Sequence, residues 1–333
     1  MKLRLSASGA ASAFSAAAVA RTFCALTLDE PLLPGGRWLA ALLGGVLAAP
    51  VVLGIARAKG RGLAGAILMP LGALEAAQAA RTLAHGASFL AFDRVPTALL
   101  MLPLFLAALR CLWPGGTALG AASRVWLKLL PLFLVPILAL QLPHLEPDWL
   151  FPLLGSGPRS ILGGAIRAAG GFAMLSGLWL VAEDGDGPPH PLRCLAFSAL
   201  LAAALLAAQE MMAPVMISAD SSRVFLLDAL LTNGRAPLIL QLPMVIVWFI
   251  AMLNLLAVQC FLSAALASRL AARANPRIVG IAVVAVVAAL ALAGLPGWRR
   301  AALLGRMELA AAGLCAAIFY AKSGGERPCA RES

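Results

Sequence analysis

Apolar residues fill this chain in long blocks, and the polar residues gather in short stretches between them. Ten blocks stand out, at about 9–28, 38–56, 63–91, 95–113, 125–143, 160–182, 192–214, 236–268, 277–296 and 306–321. An α-helix needs roughly 20 apolar residues to cross a hydrocarbon core about 30 Å thick. The pattern therefore predicts an all-α polytopic membrane protein with about ten transmembrane helices. The third and eighth blocks are the longest, near 29 and 33 residues, and are expected to tilt or to extend beyond the bilayer.

Composition narrows the class further. Of 333 residues, 62% are hydrophobic and only 12% charged, and the mean hydropathy is +0.92. A soluble domain carries about 25% charged residues, so soluble enzymes, nucleic-acid binders and disordered proteins are excluded. The net charge of +11 is scattered singly at the ends of the apolar blocks. That dispersion matches the basic excess of cytoplasmic loops, so the expected partner is the lipid bilayer and not nucleic acid. Six cysteines, at 24, 111, 194, 260, 315 and 329, lie apart with no C-x-x-C spacing. Neither a disulfide framework nor a zinc site follows from them.

Sorting Lys and Arg by loop sets the orientation. With the N-terminus inside, fifteen fall in inner loops and tails and nine in outer loops. Both termini are thus expected in the cytoplasm, although Arg299, Arg300 and Arg306 run against the bias locally. Lys2, Arg4 and Ala18-Val19-Ala20 also have the makings of a cleavable signal peptide. The core of that stretch is weakly apolar, so it is taken as the first span.

Ten spans divide into five plus five, and an odd number per half forces the halves into opposite topologies. The chain then reads as one transmembrane domain over 1–333. A first half (9–143) and an extracytoplasmic loop (144–159) precede a second half (160–321) and a cytoplasmic tail (322–333). The two long segments occupy corresponding places in the halves. This is the layout of a 5+5 inverted-repeat, LeuT-like transporter, with its site near the midplane.

Polar residues inside the spans are the candidates for chemistry. Segment 6 holds Gly163-Gly164, Arg167, Gly170-Gly171-Phe172 and Ser176. Its glycines either let neighbouring helices approach closely or unwind the backbone and expose N–H and C=O groups to a ligand. Arg167 lies too deep to reach water, where an arginine costs about 2.5–3.5 kcal/mol on insertion scales. Glu75 in segment 3 is expected to be the only acid near that depth, with Gln78 one turn on. A Glu75–Arg167 intramembrane ion pair is one expectation; separate partnerships with carbonyls or water are the other. Arg21-Thr22, Gln209-Glu210, Asn254 and Gln259 complete the set. Arg21 and Glu210 are placed to snorkel to an interface, and Asn254 is typical interhelical glue. The loop 144–159 joins aromatics, prolines and charge, and Trp149 and Phe151 suit headgroup depth. His85, His144 and His190 lie in separate loops without metal-ligand spacing. With no phosphate-binding loop and no paired carboxylates in a segment, neither an enzyme nor a cofactor is expected.

The stretch from Pro96-Thr97 through segments 4 and 5 to Pro147-Asp-Trp-Leu-Phe-Pro152-Leu-Leu-Gly155-Ser-Gly157-Pro158 resembles the B subunits of spore germinant receptors. These endospore germination permeases belong to the amino acid–polyamine–organocation transporter superfamily. Leu238 to Leu270 with Trp248, following Asn233-Gly234-Arg235, is similar to the family's long eighth helix. Glu183 falls beyond segment 6 and not at the family's acidic position. The resemblance implies a subunit of the spore inner membrane that senses a nutrient such as an amino acid beside A-type and C-type receptor subunits. An active amino-acid or polyamine permease is the alternative. By analogy, a small zwitterion would sit between broken segments 1 and 6, flanked by segments 3 and 8. The residues so implicated are Arg21, Thr22, Glu75, Gln78, Gly170, Gly171, Phe172, Ser176 and Asn254.

Overall fold

The computed structural model describes residues 5–25, 36–57, 62–91, 95–142, 147–150, 157–182, 190–212, 238–271, 273–293 and 298–325. Each of the ten expected segments carries a helix within this range. In chain order they are α1 (Ala7–Ala25), α2 (Arg37–Arg57), α3 (Gly62–Ala91), α4 (Thr97–Leu112), α5 (Gly116–Gln141) and α6 (Pro158–Leu175), which continues after Ser176 as α7 (Gly177–Val181). Then come α8 (Pro191–Met212), α9 (Leu238–Leu270), α10 (Pro276–Leu292) and α11 (Trp298–Gly325). No strand occurs among the described residues, and one isolated bridge joins Leu5 to Ala182. As expected, α3 and α9 are the longest, at 30 and 33 residues.

Local chemistry explains several helix starts. Gly115 (φ 90°) and Gly157 (φ 80°) take left-handed backbone before α5 and α6, which favours glycine. Pro158 and Pro276 open α6 and α10, where a missing N–H leaves no hydrogen bond unmade. Asn275 caps α10 by accepting from the Arg277 amide at 2.9 Å.

Among the described residues, five stretches are long and apolar enough to cross a membrane: Arg37–Arg57, Gly116–Pro136, Pro158–Val181, Pro191–Ala208 and Val245–Leu270. Helices α4 and α10 are apolar but only 16 and 17 residues long. The outer surface is apolar: Val46 is 71% exposed and Leu132 66%, whereas Glu308 is 0% exposed. Water would penalise such a surface over so wide an area; hydrocarbon would not.

The packing forms two groups. Helices α3, α4, α9 and α10 each touch the other three. Helix α2 lies against α6 and α8, while α1 bridges the two groups, lying against α9 of the first and against α8 and α6 of the second. Between the groups, α5 contacts α1, α9 and α4, and α11 contacts α6, α2 and α3. Small residues bring the closest pairs together: Gly9 of α1 meets Gly120 of α5, Gly170 of α6 meets Gly305 of α11, and Gly44 of α2 meets Ala165 and Ala168 of α6.

Polar contacts at the helix ends agree with alternating spans. The start of α5 reaches the start of α1 through Arg124 Nη2 and Ser8 Oγ, 3.1 Å apart. Arg269 near the end of α9 donates to the carbonyls of Leu180 and Val181, ending α7. The Arg277 guanidinium at the start of α10 lies 5.5 Å from the ring of Trp113, just past α4. At the other face, Glu210 near the end of α8 accepts from the Arg37 amide at 2.9 Å and so caps α2. Glu210 is 4% exposed; it is a buried cap and not a snorkelling side chain.

Candidate functional site

The polar centre is built from five helices. Arg21 lies fourteen residues into α1 and Glu75 thirteen into α3, so each sits about 20 Å along its helix at 1.5 Å per residue. The Arg21 guanidinium forms an ion pair with Glu75 through Nη1 and Oε1. Its Nη2 donates to Glu308 Oε2 of α11 at 3.3 Å. From α9, Gln259 Nε2 donates to the second oxygen of Glu75. Against the guanidinium lies α6, whose Gly171 makes the room: a Cβ there would fall on the Arg21 head group.

Burial differs sharply among these groups. The Glu308 and Glu75 side chains are 0% and 6% exposed, whereas that of Arg21 is 22% exposed. Two buried carboxylates are thus covered by one partly accessible cation. Gln259 is also fully buried. Among the described residues, Glu308 Oε1 and Gln259 Oε1 have no hydrogen-bond donor. Acceptors left in this condition are costly in low dielectric, and they give the cluster spare capacity for a donor.

The other expected site residues scatter around this centre. Thr22, next to Arg21, donates back to the Val19 carbonyl and stays within α1. Gln78 is half-buried one turn beyond Glu75. Gly170 meets the backbone of Gly305 and serves helix packing. Phe172 and Ser176 are buried in the core, with the Ser176 hydroxyl bonded to the Ala173 carbonyl. Asn254 lies away from the charges and accepts from Ser123 Oγ of α5 at 3.0 Å, which is interhelical bonding as read from the sequence.

Three expectations require correction. The acid paired with an arginine is Glu75 as expected, but its arginine is Arg21 and not Arg167. Arg167 packs against Gly305 of α11, and its charge acts on Glu308. The reason is axial: Gly171 is the α6 position that meets the Arg21 guanidinium, and Arg167, on the same face one turn earlier, is offset by about 6 Å along the helix. Second, Glu75 is not the only deep acid, because Glu308 is fully buried. Its helix begins at Trp298 and not at 306, which carries Glu308 from the apparent edge of a segment to its interior. Third, segment 1 is one continuous helix, and segment 6 is broken at Ser176 and not at its Gly-Gly pairs. Helix α6 runs through both Gly-Gly pairs, and the break at Ser176 keeps right-handed backbone (φ −61°, ψ −18°). In a membrane each unmade backbone hydrogen bond costs several kcal/mol, and Gly170 and Gly171 are used for close approach instead.

Several expectations lie outside the described residues: residues 143–146 and 151–156 of the outer loop with Phe151, Glu183, Asn233-Gly234-Arg235, and 326–333 of the tail. No group of three His, Cys, Asp or Glu side chains that would hold a metal occurs among the described residues. No protein-family model matches the chain, and no curated protein matches it.

Proposed function

We propose that the chain is a multi-pass membrane protein whose halves, 9–143 and 160–321, form a LeuT-like inverted repeat. In this reading it is the transporter-like subunit of a nutrient germinant receptor and senses a small molecule such as an amino acid. It would lie in the spore inner membrane, with both termini cytoplasmic and with A-type and C-type receptor subunits as partners. The observation that carries the binding part is the Arg21–Glu75–Glu308 cluster, buried where α1, α3, α6, α9 and α11 meet. Ionisable groups at such depth are expensive and mark functional sites by default.

Helix packing supports the repeat. Advancing every segment by five turns the α1–α5 contact into α6–α11, α3–α4 into α9–α10, and α1–α8 into α6–α2. The same step returns α3–α9 and α2–α8 to themselves. Two structurally related halves produce such pairing. The germination role rests on the resemblance in segments 4 to 6 and 8. A ligand that prefers one arrangement of the two halves would shift the population, and the partner subunits would read that shift.

The test is uptake of an amino-acid panel by proteoliposomes holding the full chain, run beside ligand-induced thermal shifts. A shift without uptake, abolished by Glu75→Gln, is the result expected of a sensor. Uptake that requires Glu75 would instead establish an active amino-acid or polyamine permease. One observation favours that second reading: Glu75 and Glu308 are both ion-paired to the same side chain, Arg21, leaving room for a coupling proton. Co-purification with the A-type and C-type subunits checks the receptor assignment separately.

A further inference from the structure

Arg21 is held as a ligand would be held. Its guanidinium lies between the α6 backbone at Gly171 and the carboxylates of Glu75 and Glu308, which come from two other helices. The side chain is partly exposed while both acids are buried beneath it. The same acids carry more acceptor capacity than Arg21 uses. Glu308 Oε1 is buried without a donor among the described residues, and so is Oε1 of Gln259, the residue that orients Glu75.

We infer that Arg21 is a tethered occupant of a recognition site for small organic monocations bearing N–H donors, and that an amine or guanidine binds Glu75, Glu308 and Gln259 in its place. The inference rests on the small-molecule reading above and specifies the substrate class of that site. A planar guanidinium or an ammonium supplies donors for carboxylate oxygens in the geometry Arg21 already uses. It also offers further donors to the two vacant acceptors, which Arg21 leaves unmet. The charge of Arg167, which packs against Gly305 on the helix of Glu308, also acts on Glu308 and disfavours a doubly charged ligand there. The exchange has a thermodynamic signature. A side chain tethered at the site competes at an effective concentration of about millimolar or more, so free cations bind the native chain weakly and bind more tightly once the tether is shortened.

The experiment measures thermal shifts of the full chain in detergent with methylguanidine, butylamine, tetramethylammonium and alanine as probes. The native chain is expected to be stabilised by methylguanidine and butylamine, and not by tetramethylammonium, which has no N–H. In Arg21→Ala the apparent Kd for methylguanidine should fall by about tenfold or more, and adding Glu308→Gln should reverse that gain. Should Arg21→Ala fail to fold, Glu308→Gln in the native chain should weaken methylguanidine and butylamine binding by a similar factor. Rescue of Arg21→Ala without any amine binding to the native chain would make Arg21 a fixed structural partner and overturn the exchange. A shift with alanine alone would overturn the cation class while leaving small-molecule sensing intact. Silence with all four probes, native and variant, would overturn both.

Discussion

The crossing of α6 and α11 gives a quantitative test of the packing. A Cβ on Gly170 would lie 2.9 Å from the carbonyl carbon of Gly305 and 3.1 Å from its Cα. Ordinary contacts begin at 3.4 Å, so α11 must retreat by about half an ångström or more. The obstacle is backbone and cannot rotate aside. Overpacking of this kind costs about 1–3 kcal/mol. Gly163 lies two turns earlier on the same helix, and a Cβ there meets nothing within 4 Å. Both replacements gain the same helix propensity, about 1 kcal/mol for alanine over glycine. The difference between Gly163→Ala and Gly170→Ala therefore isolates the crossing. Gly163→Ala should be stabilised by up to about 1 kcal/mol, with Gly170→Ala lying about 1–3 kcal/mol below it. Tryptophan fluorescence during denaturation of the full chain in micelles reads both. Equal stability of the two variants would refute the close approach of α6 and α11, and with it the seat of Arg167 and Glu308.

Three further perturbations follow from named contacts. Arg21→Met leaves Glu75 and Glu308 buried without their cation and should destabilise the chain by about 3–5 kcal/mol, with adding Glu75→Gln and Glu308→Gln recovering part of the loss in the same denaturation assay. Glu210→Ala removes the cap of α2 and should cost about 0.5–2 kcal/mol, whereas Glu210→Gln keeps an acceptor and should cost less. Arg269→Ala frees the Leu180 and Val181 carbonyls at the end of α7, and hydrogen exchange should rise around 177–182 while α3 keeps its protection; uniform exchange across both would count against a local role.

The helices were legible because hydrocarbon demands a long apolar run, and a run of that length is visible residue by residue. Glu75 and Arg21 were legible for the complementary reason that a charge inside such a run has to be explained. Their pairing was not. Which arginine meets Glu75 depends on the rotation of α1 and on the axial offset of α6, and α1 offers no amphipathic stripe because nearly every position is alanine, serine or another small residue. Glu308 was hidden by a boundary: Arg299, Arg300 and Arg306 suggest a loop, yet the helix begins at Trp298 and turns Glu308 inward while Arg306 and Met307 stay exposed. The glycines of α6 carried two readings that sequence cannot separate, because close packing and unwinding both require a residue without a side chain. What separates them is the neighbour: Gly305 opposite Gly170, and a guanidinium opposite Gly171.

The position of the charges bears on how the two helix groups can move. Arg21 stands on α1, which packs against α8 and α6 as well as α9, and Glu75 and Gln259 stand on α3 and α9, so the Arg21–Glu75 pair ties the bridging helix α1 to α3. Glu308, the third participant, stands on α11, which contacts α6, α2 and α3. Movement of α3 against α1 therefore has to stretch or exchange the contacts of Arg21, while the Gln259–Glu75 bond travels within its own group. That asymmetry assigns different consequences to neighbouring residues. Losing Gln259 loosens the aim of Glu75 but leaves the ion pair between α1 and α3; losing Arg21 breaks that tie. A ligand cation that takes the place of Arg21 does both at once, satisfying the carboxylates and releasing the tie. Ligand binding and movement of α3 against α1 are then one event, since the same two carboxylates cannot hold Arg21 and the ligand in full.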